Sequence, residues 1–216
     1  MPDNLPAWPD LGAVLPSVAP SEWAGRFEAE LLSVGGSAHR VRSRADIAGL
    51  LAGILTDRAA GVVLSRNPLL DRLGLQEIFS ELGVPSWKWP ADAGSEPDAP
   101  ASQDYREHCF SAGAGVTGVD FALVESGTLV LTSVTEGSQL ASLAPPVHIA
   151  FYRQEQVVAT LEDVLARLPA PNPDASPASG RAIVLITGTS RTADIEQILI
   201  RGVHGPRELH AVLIDD

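Results

Sequence analysis

A chain of 216 residues with 45% hydrophobic side chains is long enough for one sizeable core, able to bury roughly 70% of its unfolded surface without staples. The formal net charge of −12 argues against nucleic acid, whose phosphates need cationic partners. One cysteine, Cys109, allows no internal disulfide. Iron–sulfur clusters are held by about four ligands, mostly thiolates, so the expectation is that this chain binds no such cofactor by itself.

Met1 to Pro20 has no basic start and no continuous apolar stretch, and it carries Asp3, Asp10 and repeated prolines. It reads as an extended arm rather than a signal peptide. No apolar run approaches the roughly 20 residues of a membrane span, so membrane insertion is not expected and the cytoplasm is the expected location. From Ser21 onward the pattern is one α/β domain, residues 21–216. Ser21 leads into a helix with Trp23, Phe27, Leu31 and Val34 on one stripe, stopped by Gly35 and Gly36. A strand is expected around Ala38 to Arg42. Ser43 with Asp46 resembles a capping box, and Ile47, Leu50, Leu51, Ile54 and Leu55 give the next helix its apolar face.

Gly61 to Ser65 is a short apolar run of the kind found in buried parallel strands. Asn67-Pro68 supplies a cap and a first-turn proline. A helix over Gln76 to Leu82 and a strand over Val84 to Trp89 follow, and alternation of this kind predicts a mostly parallel sheet. The acidic, Pro-containing stretch 91–102 reads as a loop, then a helix spans Asp104 to Ala112. Two β-rich runs flank a Ser126-Gly127 turn, and Val147 to Tyr152 is another strand. Thr160 and Asp163 open a helix to Leu168. Residues 169–180, with four prolines, form a second loop; Ala182 to Thr187 is a strand, Ala193 to Arg201 a helix and Leu209 to Ile214 the last strand.

Two segments could carry chemistry. In the first, Gly188, Thr189, Ser190, Arg191 and Thr192 follow a strand and precede the expected helix. Ligands of open α/β sheets sit at such carboxyl ends. Gly188 allows close backbone approach, the hydroxyls and helix N–H groups suit an anion, and Arg191 suits a carboxylate or phosphate. Plain capping by Thr192 is the alternative, with Asp194 and Glu196 complementing the helix dipole and opposing a bound anion. His204 and Gly205 close the segment, His204 as a turn residue or a proton carrier. The second segment is Phe121 to Thr132. Here Glu125 is either exposed at a hairpin tip or held in a cleft that would raise its pKa for acid–base or nucleophilic work, with Gly127 and Thr128 beside it. Together these give candidate catalytic residues Glu125, Glu196 and His204. The candidate ligand set is Gly127, Thr128, Gly188, Thr189, Ser190, Arg191, Thr192, Asp194 and Gly205. No metal-ligand spacing is present.

Gly113 to Gly118 matches G-x-G-x-x-G, but a polar helix precedes it and a strand-like run follows, the reverse of the dinucleotide fingerprint. A flexible approach to the hairpin is the expectation there, and His148 is expected to be a hydrogen-bonded core residue.

The stretches Gly115-Val116-Thr117-Gly118 through Asp120, Phe121-Ala122, Glu125-Ser126-Gly127-Thr128 and Pro145-Pro146-Val147-His148-Ile149, with Ser190 to Glu196 and Gly202-Val203-His204-Gly205-Pro206, resemble the lactate-utilisation protein C branch of the LUD-domain family. Ser126 stands where the family usually has Thr, and Thr189 where it often has Pro; both leave a hydroxyl in place. The resemblance implies a three-layer αβα fold with a mostly parallel sheet, similar to ribose-phosphate isomerases and coenzyme A transferases. It also implies a role in oxidising L-lactate to pyruvate beside partner proteins that carry iron–sulfur clusters. Glu125-Ser126-Gly127 is similar to the acyl-accepting glutamate of coenzyme A transferases, an analogy at fold level only. Two other readings stand: a self-sufficient enzyme acting on a phosphorylated or acyl substrate, and a non-catalytic protein that binds a small carboxylate or phosphorylated ligand. A homo-oligomer is compatible with all three.

Overall fold

Strand and helix alternate as the sequence predicts, and local chemistry shows why. The computed structural model describes residues 18–55, 60–90, 100–168, 182–193, 199–202 and 204–215, and of 191–193 and 199–201 only the backbone. Helix α1 (Trp23–Ser33) leads to β1 (Ser37–Val41), α2 (Arg44–Leu55), β2 (Val62–Leu64), α3 (Pro68–Arg72), α4 (Leu75–Glu81), β3 (Ser86–Lys88), α5 (Pro100–Ser111) and β4 (Ala114–Thr117). The expected capping box opens α2, with Asp46 N–H donating to Ser43 Oγ (3.1 Å) and Ser43 N–H to Asp46 Oδ2 (3.0 Å). Asn67 Oδ1 accepts from Leu69 N–H at 3.0 Å beside Pro68, satisfying an otherwise orphaned donor of α3.

The chain then makes two excursions. The first holds β5 (Phe121–Leu123), β6 (Thr128–Thr132), α6 (Ser133–Glu136) and α7 (Leu140–Leu143) before β7 (Val147–Arg153). The second holds β8 (Val157–Val158), α8 (Leu161–Arg167), β9 (Ile183–Thr187), β10 (Arg191–Ala193) and β11 (Leu199–Arg201) before β12 (Glu208–Ile214). Six strands form one sheet in the order β1-β12-β7-β4-β2-β3, every neighbouring pair parallel. The excursions supply a second sheet of four strands, β8-β5-β6-β9, with mixed directions.

Both faces of the six-stranded sheet are covered, as an all-parallel sheet requires. Val62, Leu64, Val116, Ile149, Phe151 and Val212 pack against Ile47 and Leu51 of α2, Leu70 of α3 and Phe79 of α4. On the opposite face, Ala150, Tyr152, Ala211 and Leu213 meet Phe27 and Leu31 of α1 together with Leu129 and Leu131 of the second sheet. Phe27 and Tyr152 make an edge-to-face pair with centroids 5.3 Å apart. The outer face of the second sheet, Leu123 and Val130, lies under Val164 of α8. Among the described residues no helix is long and apolar enough to cross a membrane.

The structure corrects two expectations. Residues 114–117 are no flexible approach: they form the fully buried strand β4 in the middle of the sheet. Their glycines serve close packing. A Cβ on Gly115 would lie 1.7 Å from the Ala141 carbonyl oxygen of α7, and one on Gly118 2.2 Å from Asn67 Nδ2. Gly115→Ala is therefore expected to cost about 3 kcal/mol through overpacking, lowering Tm by roughly 6–12 °C for a chain of this size. Thermal unfolding followed by circular dichroism checks this; an unchanged midpoint would mean that α7 simply moves away.

The second correction concerns the helix expected over Ala193 to Arg201. The described parts of that segment are the strands β10 and β11, paired antiparallel with Arg191 opposite Arg201 and Thr192 opposite Ile200. β-branched side chains such as Thr192 and Ile200 lose rotamer freedom in a helix and favour pleated structure. Residues 188–190 therefore lead directly into β10, and among the described residues no helix N-terminus follows them.

Candidate functional site

Open parallel sheets leave a crevice where neighbouring strands send their chains in opposite directions. In this sheet that point lies between β2 and β4. The chain leaving β2 goes through α3 and α4 to β3 on one side, and the chain leaving β4 returns to the sheet as β7 on the other. Ser65 and Asn67 follow β2, Gly118 follows β4, and α6 brings Glu136 to them.

Glu136 is 1% exposed. Its Oε2 accepts from Ser65 Oγ at 2.5 Å and from Gly118 N–H at 3.2 Å, and its Oε1 accepts from the side-chain amide of Asn67. The backbone closes the same contact, with Arg66 N–H donating to the Glu136 carbonyl at 3.1 Å. Burial pushes the Glu136 carboxyl above the usual carboxylate range, although Ser65, Asn67 and Gly118 pull the other way; the Asp120 charge pushes it further up.

Asp120 belongs to the same turn. Its Oδ2 accepts from Thr132 N–H (2.7 Å) and Thr135 Oγ (2.9 Å). Burial raises its pKa too, against the bonds from Thr135 and Thr132. Asp120 also lines a cavity of about 220 Å³ with Phe121, Thr132, Val134, Thr135, Arg167, Leu168 and Ile183. The turn α6 thus separates two carboxyl groups with different prospects. Glu136 is sealed and fully engaged. Asp120 borders the cavity, and so does the Arg167 cation.

The residues singled out from the sequence converge elsewhere. Thr128 and Thr187 are partners across the β6–β9 pair, and Thr128 Oγ1 lies 2.7 Å from both Thr187 Oγ1 and Ser126 Oγ. Gly127 (φ 62°) and Gly188 (φ 74°) both need the left-handed conformation. Both also press on the end of α1, where an added Cβ would lie 2.3 Å from Leu31 N and from Val34 O respectively. Thr189 is buried. Ser190 N–H donates to the Pro206 carbonyl, and Gly202 N–H to the Ser190 carbonyl, each at 3.0 Å, which sets Gly205 beside Ser190. The two sequence signals are therefore neighbours in space.

For Glu125 and His204 the structure agrees with the plainer of the two expected readings. Glu125 is exposed at the hairpin, not held in a cleft, and its Oε1 accepts from Leu161 N–H at 3.0 Å at the start of α8. His204 is exposed. Arg191 and Thr192 lie on β10, and Asp194 and Glu196 fall outside the described residues. His148 is a core histidine as expected, 0% exposed, with Nε2 2.8 Å from Thr117 Oγ1. Sequence reading missed Ser65, Asn67, Asp120 and Glu136 as a group. A polar residue directly after an apolar strand run, as at Ser65, was the available signal.

Comparison with known proteins agrees with this architecture. The LUD domain profile matches residues 24–214. The protein named "Lactate utilization protein C" of Bacillus subtilis is 32% identical over 161 residues, covering 72% of this chain and 62% of that protein. The protein of the same name from Bacillus velezensis is 30% identical over 179 residues, covering 79% of this chain and 70% of its own length. The chain thus spans somewhat under two thirds of the Bacillus subtilis relative. A crystal structure of a DUF162 family protein from Deinococcus radiodurans superposes with a TM-score of 0.59 at 23% identity, over 91% of this chain and 99% of that one, which shows a shared fold. With the profile covering every strand of the parallel sheet, the chain belongs to the LUD-domain family.

Proposed function

We propose that this chain is a non-redox component of a lactate-utilisation system, located in the cytoplasm, in which partner proteins carry the iron–sulfur clusters that oxidise L-lactate to pyruvate. The system is suggested by the relatives named lactate utilization protein C. The division of labour rests on one observation. Cys109, the chain's one cysteine, is buried in α5 beside Tyr105, and burial pushes its thiol up to about 11. Thiolates are what such clusters bind, so the electron carriers belong to other chains. The cavity at Asp120 and Arg167 favours a small-ligand role within that system, a short carboxylate or phosphorylated molecule being the class that Arg167 would hold.

Affinity purification of the tagged chain from lactate-grown cells under anaerobic conditions, with iron analysis, tests the proposal. Cysteine-rich, iron-bearing chains should co-purify, and the isolated chain should show no lactate oxidation with an artificial electron acceptor. Full-rate oxidation by the isolated chain would overturn it.

A further inference from the structure

With 15 lysines and arginines against 27 aspartates and glutamates, this chain has few cations to place, yet three arginines meet at one cavity. Arg42 and Ser43 leave the carboxyl end of β1, Arg44 opens α2, and Arg72 lies in the last turn of α3. All four line a cavity of about 210 Å³ whose apolar wall is Val41, Ile47, Leu73 and Ile214. Val41 and Ile214 are partners on the parallel strands β1 and β12. The cavity therefore sits at the carboxyl edge of the sheet, the edge at which such sheets bind ligands. It shares no lining residue with the cavity at Asp120 and Arg167.

Like charges gathered this closely repel, and carboxylates offset two of the three. Asp215 Oδ2 accepts from Nε (3.0 Å) and Nη2 (2.8 Å) of Arg42. Glu81 Oε1 accepts from Nη2 of Arg44 at 2.8 Å, and Arg44 Nη1 donates to the Gly74 carbonyl at 3.4 Å. Asp46, at the start of α2, turns its Oδ2 to the N–H groups of Arg42 and Ser43, 3.0 Å from each. Asp71, next to Arg72 in the chain, is taken by Lys88, and Arg72 forms no ion pair among the described residues. A guanidinium has five N–H donors, more than these partners use. The bonds to Asp215 and Glu81 thus hold Arg42 and Arg44 in place, while the Arg72 charge and several donors remain for a ligand. All three arginines are exposed, so a ligand reaches them from solvent.

We propose that this cavity binds a phosphate group. Its volume is below the roughly 300 Å³ at which pockets for whole ligands begin, so it suits an anionic head group. Arginines from β1's end, α2 and α3 approach from different directions. A tetrahedral dianion has acceptor oxygens for all of them, whereas one guanidinium fork already fills the plane of a carboxylate.

The test is isothermal titration calorimetry on the full chain, in chloride at constant ionic strength, with inorganic phosphate, methyl phosphate and acetate as probes. Inorganic phosphate should bind saturably, and Arg72→Gln should weaken that binding roughly tenfold or more with an unchanged circular dichroism spectrum. Arg42→Gln should weaken it too, whereas Arg26→Gln, which removes the same charge from α1, should leave it as it is. Tighter binding of methyl phosphate would assign the apolar wall to the body of an organic phosphate, and tighter binding of inorganic phosphate would assign the site to the free ion. Three results overturn the proposal: no saturable phosphate binding, acetate held as tightly as phosphate in a manner that depends on Arg72, or phosphate binding that both Arg72→Gln and Arg42→Gln leave intact. The last would place the ion elsewhere without touching the role given to Asp120 and Arg167.

Discussion

On acidification the wild-type protein should lose stability steeply below about pH 6.5, and His148→Gln should lose much less. His148 sits on β7 at 0% exposure, and its Nδ1 has no hydrogen-bond partner. Burial first, and the nearby His210 second, push its pKa down to about 3 from 6.5. In the unfolded chain the imidazole takes up a proton near 6.5, whereas the folded chain refuses it until about 3. Between those limits the unfolded state binds more protons, so stability falls as pH falls. The contribution is complete above 6.5 and lost as pH drops through the folded value. A displacement of this size amounts to roughly 4–5 kcal/mol, a large share of the roughly 5–15 kcal/mol that holds a typical domain together. His148→Gln starts lower at neutral pH, because it gives up ring packing and the Thr117 contact. The comparison is therefore of slopes: urea midpoints for both proteins from about pH 7 to about pH 4. Parallel slopes would show that His148 finds a way to be charged in the fold.

The parts of the fold that announce themselves in sequence do so through short-range chemistry. Asn67-Pro68, Ser43 with Asp46 and Thr160 with Asp163 are each complete within four residues, and each caps the helix expected of it. Strand pairing is long-range. The apolar run Ile183 to Thr187 says "strand", but nothing local says that it joins β6 in a second sheet rather than the parallel one. The G-x-G-x-x-G spacing fails for a related reason. What matters at Gly115 and Gly118 is an approach by Ala141 and by Asn67, from elements distant in the chain. Glu125 belongs to a legible hairpin, yet its role as acceptor for the start of α8 depends on β5 lying beside β8. The Glu136 cluster is the extreme case. Its donors come from residues 65, 67 and 118, which meet only because β2 and β4 are adjacent.

Glu136→Gln should lower stability at neutral pH by about 3 kcal/mol, and the gap from wild type should widen as pH falls. The carboxylate accepts from Ser65, Asn67 and Gly118 at once. An amide of the same shape turns its NH2 group towards at least one of those donors and leaves it without an acceptor, at roughly 1–3 kcal/mol for each buried group so orphaned. The pH dependence has the opposite sign to that of His148. Burial holds the folded Glu136 pKa above its ordinary 4.5, so the folded state binds the extra proton in the window above that value. Its contribution is complete below 4.5 and is lost as pH rises through the folded pKa. Acidification therefore favours wild type over Glu136→Gln while it penalises wild type relative to His148→Gln. One series of urea titrations reads both gaps. A Glu136→Gln gap that narrows on acidification would mean that three donors outweigh burial, leaving a fixed anion at the crevice. A widening gap makes Glu136 a carboxyl that holds a proton above the usual range, beside an Asp120 that lines a cavity.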